Sequence, residues 1–265
     1  MKKMLVTTVE LLIIFYILIC IFLYFFQEKL IFIPDKLRKD FKFSFERPFE
    51  EVGLKTKDGK YLNGLLFTSD STKGLVFYLH GNAGALNTWD HAAKRYTTLN
   101  YDVFMFDYRV YGKSDGSIKS EAQFFEDIQT AYDEIKKRYI EENIIVLGYS
   151  IGVGAATKLA SVNRPKLLIL QAPYYSLTDL MRRVYPIIPT FLLKYKFETY
   201  KYLRECKMPI VVFHGNQDEV ISYNSSLRLK ETMKSSDTLI TLNRQGHNGI
   251  TDNPQYIRAI SEILN

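Results

Sequence analysis

The sequence predicts an α/β fold: a mostly parallel sheet flanked by helices, preceded by one membrane-spanning helix. Three observations lead there. Short, unbroken apolar runs recur between residues 52 and 242, segments of helical length separate them, and a long stretch without a charge opens the chain. A continuous apolar run of strand length fits a strand buried on both faces of a parallel sheet. Strands that alternate with longer helices build βαβ units, whose right-handed crossovers place helices on both faces. With 265 residues, 47% hydrophobic and 24% charged, the chain can bury one sizeable core and carry a short appendage, and its composition is that of a globular protein.

The appendage comes first. After Lys2 and Lys3, residues 11–26 read LLIIFYILICIFLYFF, and extension back to Met4 leaves one acid, Glu10. A helix of ~20 residues crosses the hydrocarbon core. Glu10 would lie near one interface, and Tyr24, Phe25 and Phe26 suit the other. The run is longer than a signal-peptide core and no small-x-small cleavage site follows it, so it reads as a retained anchor. Lys2 and Lys3 stand before the span and Lys29, Lys36, Arg38, Lys39 and Lys42 after it, so the positive-inside rule leaves its orientation open. Residues 1–45 are assigned to the anchor and juxtamembrane segment, and 46–265 to the folded domain.

In the domain, residues 52–56 and 61–67 flank Asp58-Gly59, a hairpin signal. Strand-like runs follow at 75–79, 103–106, 144–147, 167–170, 210–213 and 239–242. The helical candidates are 88–99, 120–138, 152–162, 222–233 and 254–264. An insert, 173–209, separates the run at 167–170 from that at 210–213. It holds Tyr174, Tyr175 and Tyr185, an apolar stretch at 184–189, and Phe191-Leu192-Leu193.

Four of the predicted strands end in motifs that carry chemistry. Gly148-Tyr149-Ser150-Ile151-Gly152 joins a strand to a helix, the setting of a tight turn that presents a serine hydroxyl as a nucleophile. His80-Gly81-Asn82-Ala83-Gly84 follows the run at 75–79. Acyl transfer needs two N–H donors aimed at the developing oxyanion. Ile151, next to the nucleophile, is one candidate, and Asn82 is the other, with Ala83 as an alternative; His80 reads as a residue that structures its loop. Asp218 lies in the loop after the run at 210–213, where a buried acid can hold an imidazole in one tautomer. His247, in Arg244-Gln245-Gly246-His247-Asn248 after the last run, is the best general base among four histidines; His91 falls in a helical segment and His214 reads as structural.

The order Ser150, Asp218, His247 is that of the α/β-hydrolases. From about residue 52 to its end the sequence resembles that superfamily, and more narrowly its membrane-anchored subgroup with an N-terminal span and an HGNxG oxyanion loop, which includes depalmitoylase-like and serine aminopeptidase-like hydrolases. FDYRVYGKS at 106–114, and Ala172-Pro173 followed by Ser176-Leu177-Thr178-Asp179, match further. Two positions depart: Val110 stands where the family usually has Gly, and Gly152-Val153-Gly154 where adjacent glycines are common. The resemblance implies two-step acyl transfer through Ser150, His247 and Asp218, no metal or organic cofactor, and a cap formed by the insert.

The expected function is therefore a membrane-anchored serine hydrolase that cleaves ester or thioester bonds of acyl or lipid-like substrates. A serine peptidase of the same fold and a non-catalytic membrane-anchored binding protein are the alternatives. The membrane and the acyl substrate are the expected partners, with no nucleic acid and no obligate protein partner. The net charge of +6 is spread along the chain with acids interleaved and no nucleic-acid-binding motif. Cys20 and Cys206 form no disulfide framework, because the first lies in the span, and neither CxxC nor HExxH spacing occurs.

Overall fold

A computed structural model describes all 265 residues. Helix α1 (Lys2–Ile31) runs for 30 residues, about 45 Å at 1.5 Å per residue. Its apolar side chains from Met4 to Phe26 are mostly exposed, and it is the one helix long and apolar enough to cross a membrane.

The predicted strand runs all become strands, and two short ones join them. In chain order they are β1 (Ile33–Pro34), β2 (Phe49–Lys55), β3 (Tyr61–Phe67), β4 (Leu75–Leu79), β5 (Ala83–Gly84), β6 (Asp102–Phe106), β7 (Ile144–Tyr149), β8 (Leu167–Gln171), β9 (Ile210–Gly215) and β10 (Thr238–Leu242). Eight of them form one sheet in the order β10-β9-β8-β7-β4-β6-β3-β2. The β2–β3 hairpin and the β3–β6 pair are antiparallel and the other pairs parallel. β1 and β5 form a separate parallel pair that no sequence pattern announced.

Helices cover both faces: α2 (Asp90–Thr97), α3 (Glu121–Ile135), α4 (Gly152–Val162), α5 (Leu177–Val184), α6 (Thr199–Glu205), α7 (Asn224–Lys230) and α8 (Pro254–Leu264). The Ser120 hydroxyl caps α3 by accepting the Gln123 N–H at 3.1 Å. α2, α3 and α7 are shorter than the sequence pattern predicts. The chain before α2, for instance, tightens into a 3₁₀ turn at Leu86–Thr88, a common way for a helix end to satisfy its free groups. Side chains alternate across the buried strands. Leu75, Phe77 and Leu79 of β4 join the core under α3 and α4, while Val76 and Tyr78 join the core under α2 and α8.

From β4 the chain passes to β6 on one side, and β7 pairs with β4 on the other. The carboxyl ends of β4 and β7 thus meet where the strand order reverses, the usual site of a ligand crevice in an open α/β sheet. Below the β2–β3 hairpin, the buried Arg109 guanidinium bridges Asp127 (2.6 and 2.8 Å) and Asp58 of the hairpin turn (2.7 Å, both nitrogens), tying that end of the sheet to α3.

The insert contains α5 and α6, and α6 packs on α4. Its middle lies along α1. The Tyr16 hydroxyl donates to the Ile187 carbonyl at 2.7 Å, and the Gln27 amide donates to the Leu192 carbonyl at 3.1 Å and accepts the Lys194 N–H at 2.8 Å. Glu28 accepts from the Lys194 ammonium at 3.1 Å and the Tyr195 hydroxyl at 3.2 Å. On this side Val184, Tyr185, Ile187 and Phe191 remain exposed.

Candidate active site

Ser150 follows β7 directly and has a left-handed backbone, φ +52°, which a non-glycine residue adopts only under constraint. The constraint is visible on both sides. A Cβ at Gly152 would overlap the Leu79 carbonyl oxygen, and one at Gly148 would lie 2.6 Å from the Ala156 Cβ, so only glycines let α4 start this close to β4 and β7. The Ser150 N–H donates to the Gln171 carbonyl at 3.0 Å. The turn therefore lifts the serine hydroxyl above the carboxyl edge of the sheet.

The structure brings Ser150, His247 and Asp218 into one hydrogen-bonded series. His247 Nε2 lies 3.0 Å from Ser150 Oγ, and His247 Nδ1 lies 2.8 Å from Asp218 Oδ2. A carboxylate beside Nδ1 requires the proton on Nδ1, which leaves Nε2 bare to accept from the serine. Ser150 and His247 are nearly buried, and the Asp218 side chain is fully so. Burial alone raises the Asp218 pKa, but hydrogen bonds from His214 and His247 outweigh it and hold the carboxyl well below its usual range. Asp218 Oδ1 accepts the Val220 and Ile221 N–H groups at 2.9 and 2.7 Å.

Two residues support the series: His214, which the sequence reads as structural without revealing its partner, and Tyr149, which the sequence does not single out. His214 is a second imidazole on the same carboxylate: its Nε2 lies 3.1 Å from Asp218 Oδ2 and 2.9 Å from the Ile221 carbonyl, and its Nδ1 faces the Ser226 hydroxyl at 2.7 Å. Two acceptors at Nε2 place the proton there. Tyr149 stacks its ring on His247 at 5.6 Å and donates to the His247 carbonyl at 3.1 Å, holding the histidine loop from beside the serine. The only available signal was adjacency to Ser150 and to the Asp218 loop.

The main-chain N–H groups of Asn82, in the loop after β4, and of Ile151, next to the serine, donate to nothing within the protein. Such free amides at a loop and a helix start can receive a developing oxyanion. Burial pushes the His80 pKa down to about 4, so this residue stays neutral and its Nδ1–H donates to the Gly81 carbonyl at 2.7 Å. Its ring stacks on Tyr108 at 4.1 Å. A cavity of about 260 Å³ opens beside these loops, lined in part by Trp89, Tyr149, Gln171 and Asn248. No group of three or more His, Cys, Asp or Glu side chains stands together as metal ligands would.

Val110 has φ +69°, so a β-branched residue occupies the left-handed region at the position where the resemblance expects glycine. It sits between Arg109 of the buried ion pairs and Tyr111 of the active-site edge. Val110→Gly is expected to stabilise the protein by about 1 kcal/mol, because relief of backbone strain exceeds the entropy that glycine adds to the unfolded chain. A thermal melt in detergent reads this as a higher Tm; an unchanged or lower Tm would show that the packing of Val110 against the main core outweighs the strain.

Residues 70–201 match the model of the family described as serine aminopeptidase, S33. The chain is 30% identical over 217 residues to protein bem46 of Schizosaccharomyces pombe, across 76% of this chain and 72% of that protein. It is 27% identical over 201 residues to the human alpha/beta hydrolase domain-containing protein 17B, across 74% of this chain and 68% of that one. Among solved structures, an esterase from Pyrococcus furiosus superposes with a TM-score of 0.71 at 18% identity, covering 88% of this chain and 97% of the esterase. An α/β hydrolase, GrgF, from Penicillium sp. superposes at 0.65 with 18% identity, covering 82% and 96%.

Proposed function

Because the chain belongs to the α/β-hydrolase superfamily of serine hydrolases, in the group that includes Bem46, we propose that it cleaves ester or thioester bonds of acyl substrates at a membrane surface. Ser150 is the nucleophile, His247 the general base and acid, Asp218 the orienting carboxylate, and the Asn82 and Ile151 N–H groups the oxyanion hole. The observation that carries the reading is the series Ser150 Oγ, His247 Nε2, His247 Nδ1, Asp218 Oδ2, at 3.0 and 2.8 Å, beside two free amides.

In the first step Ser150 Oγ attacks the acyl carbonyl carbon while His247 Nε2 takes its proton. The carbonyl oxygen gains the negative charge that the two amides stabilise, and Asp218 stabilises the imidazolium. Collapse expels the alcohol or thiol, which leaves with the proton from His247. Water then repeats the sequence on the acyl-enzyme and frees the acid and Ser150. Lipid-like acyl groups fit best because α1 is long and apolar enough to anchor the domain, and the insert segment that meets α1 at Ile187 and at residues 190–192 exposes Val184, Tyr185, Ile187 and Phe191.

The test is reaction of the full-length protein in detergent with a fluorophosphonate probe, followed by acyl-chain series of esters and thioesters beside aminoacyl and peptide substrates. Labelling is expected, with kcat/KM rising about fourfold per added methylene until the acyl site is filled. Faster turnover of peptides than of any acyl ester would move the protein to the serine peptidase reading. A folded protein that takes no label would leave a binding role in its place.

A further inference from the structure

The chain leaves α1 and locks at once onto the loop after β4. Phe32 is buried with its ring 5.5 Å from those of Phe124 and Tyr195. Ile33 and Pro34 form β1, which pairs in parallel with β5 inside the His80–Gly84 loop. The Ile33 N–H donates to the Asn82 carbonyl at 2.8 Å, and the Asp35 N–H to the Gly84 carbonyl at 2.9 Å. The Gly112 N–H donates in turn to the Asp35 carbonyl at 2.8 Å, and the Tyr111 hydroxyl to the same Asn82 carbonyl at 2.6 Å.

Peptide planarity turns these contacts into aim. A carbonyl held in one direction fixes the N–H at the other end of its plane. His80 holds the Gly81 carbonyl, and Ile33 with Tyr111 holds the Asn82 carbonyl. The first contact sets the plane that carries the free Asn82 N–H; the second sets the next plane, so the backbone is held on both sides of the Asn82 Cα and the N–H cannot swing away. The main sheet does not do this, since β5 pairs only with β1.

We propose that Ile33, through its main-chain N–H, and Tyr111, through its hydroxyl, are positioning residues for the oxyanion loop, so that the strand following the N-terminal helix is part of the active site as well as its tether. The inference rests on the serine-hydrolase reading above. An oxyanion donor contributes in proportion to its preorganisation, and a loop held by two fewer donors spends less time in the productive geometry.

The experiment compares full-length Tyr111→Phe, Ile33→Pro and Ile33→Val with the parent on a soluble short-chain ester, together with the rate of fluorophosphonate labelling. Tyr111→Phe and Ile33→Pro should each lower kcat about tenfold and leave KM within about twofold. The pH midpoint of kcat/KM should stay in place, because neither change touches His247. Ile33→Val keeps the N–H and should recover the parent rate. Tyr111→Phe removes one oxygen, so it reports even if proline at 33 unfolds the protein. A kcat close to that of the parent in Tyr111→Phe, or a loss that Ile33→Val shares, would overturn the proposal. A folded parent that does not react with the probe would overturn the hydrolase reading and this inference with it, so the two failures are separated by the parent alone.

Discussion

Ser150→Ala is expected to lower kcat/KM on any ester roughly 10⁵-fold and to abolish fluorophosphonate labelling, with little change in Tm. The size follows from the geometry. His247 Nε2 is 3.0 Å from Ser150 Oγ, so removal of the oxygen takes away both the nucleophile and the proton that His247 receives. His247→Ala should cost nearly as much, and the double variant little more than either single one, because groups that act as one unit do not add. The fold should survive: alanine has the same Cβ as serine and takes the strained φ at 150 no worse, while Gly148, Gly152 and the Gln171 carbonyl hold the turn. Turnover, labelling and a melt on the same preparation check this. A Ser150→Ala protein that kept a tenth of the parent rate would remove Ser150 as nucleophile.

Asp218→Asn is expected to lower kcat about 10⁴-fold with a modest change in KM. Here the surrounding hydrogen bonds decide the outcome. The Val220 and Ile221 N–H groups, at 2.9 and 2.7 Å, need an acceptor, so the oxygen of the new side-chain amide would face them. Its N–H₂ would then face His247 Nδ1 and His214 Nε2, which in the parent meet an acceptor in Asp218 Oδ2. His247 would answer by moving its proton to Nε2, where it cannot take the proton of Ser150. The measurement is kcat on a short-chain ester, beside Asp218→Glu as a charge-preserving comparison. Loss of less than tenfold in Asp218→Asn would count against Asp218. Glu219, whose carboxylate accepts the His247 main-chain N–H at 3.3 Å, would then be the acid to test.

How much of this was legible beforehand differs between the two halves of the site. Ser150, Asp218 and His247 could each be named from a strand-like run and the loop after it, and their order narrowed the choice further. His214 could not. Its place before the Asp218 loop marks it as structural, and nothing in the sequence says that its ring turns back onto the Asp218 carboxylate. Tyr149 was legible only as a filler between Gly148 and Ser150.

Residue pattern is enough to specify the α/β alternation, the strand ends that carry the site and the apolar helix at the N-terminus. These are local properties: a buried strand needs consecutive apolar residues, a helix needs length, and a tight turn needs glycine at a set spacing. The tertiary structure alone decided that residues 32–35 join the His80–Gly84 loop, that Tyr111 closes on the same carbonyl, and that the insert lies along α1. Each rests on hydrogen bonds between groups far apart in the chain, Ile33 with Asn82 and Tyr16 with Ile187 among them. A strand of two residues has no period to read, and a main-chain N–H is the same on almost every residue, so the partner of such a group is set by where the packed core brings the backbone.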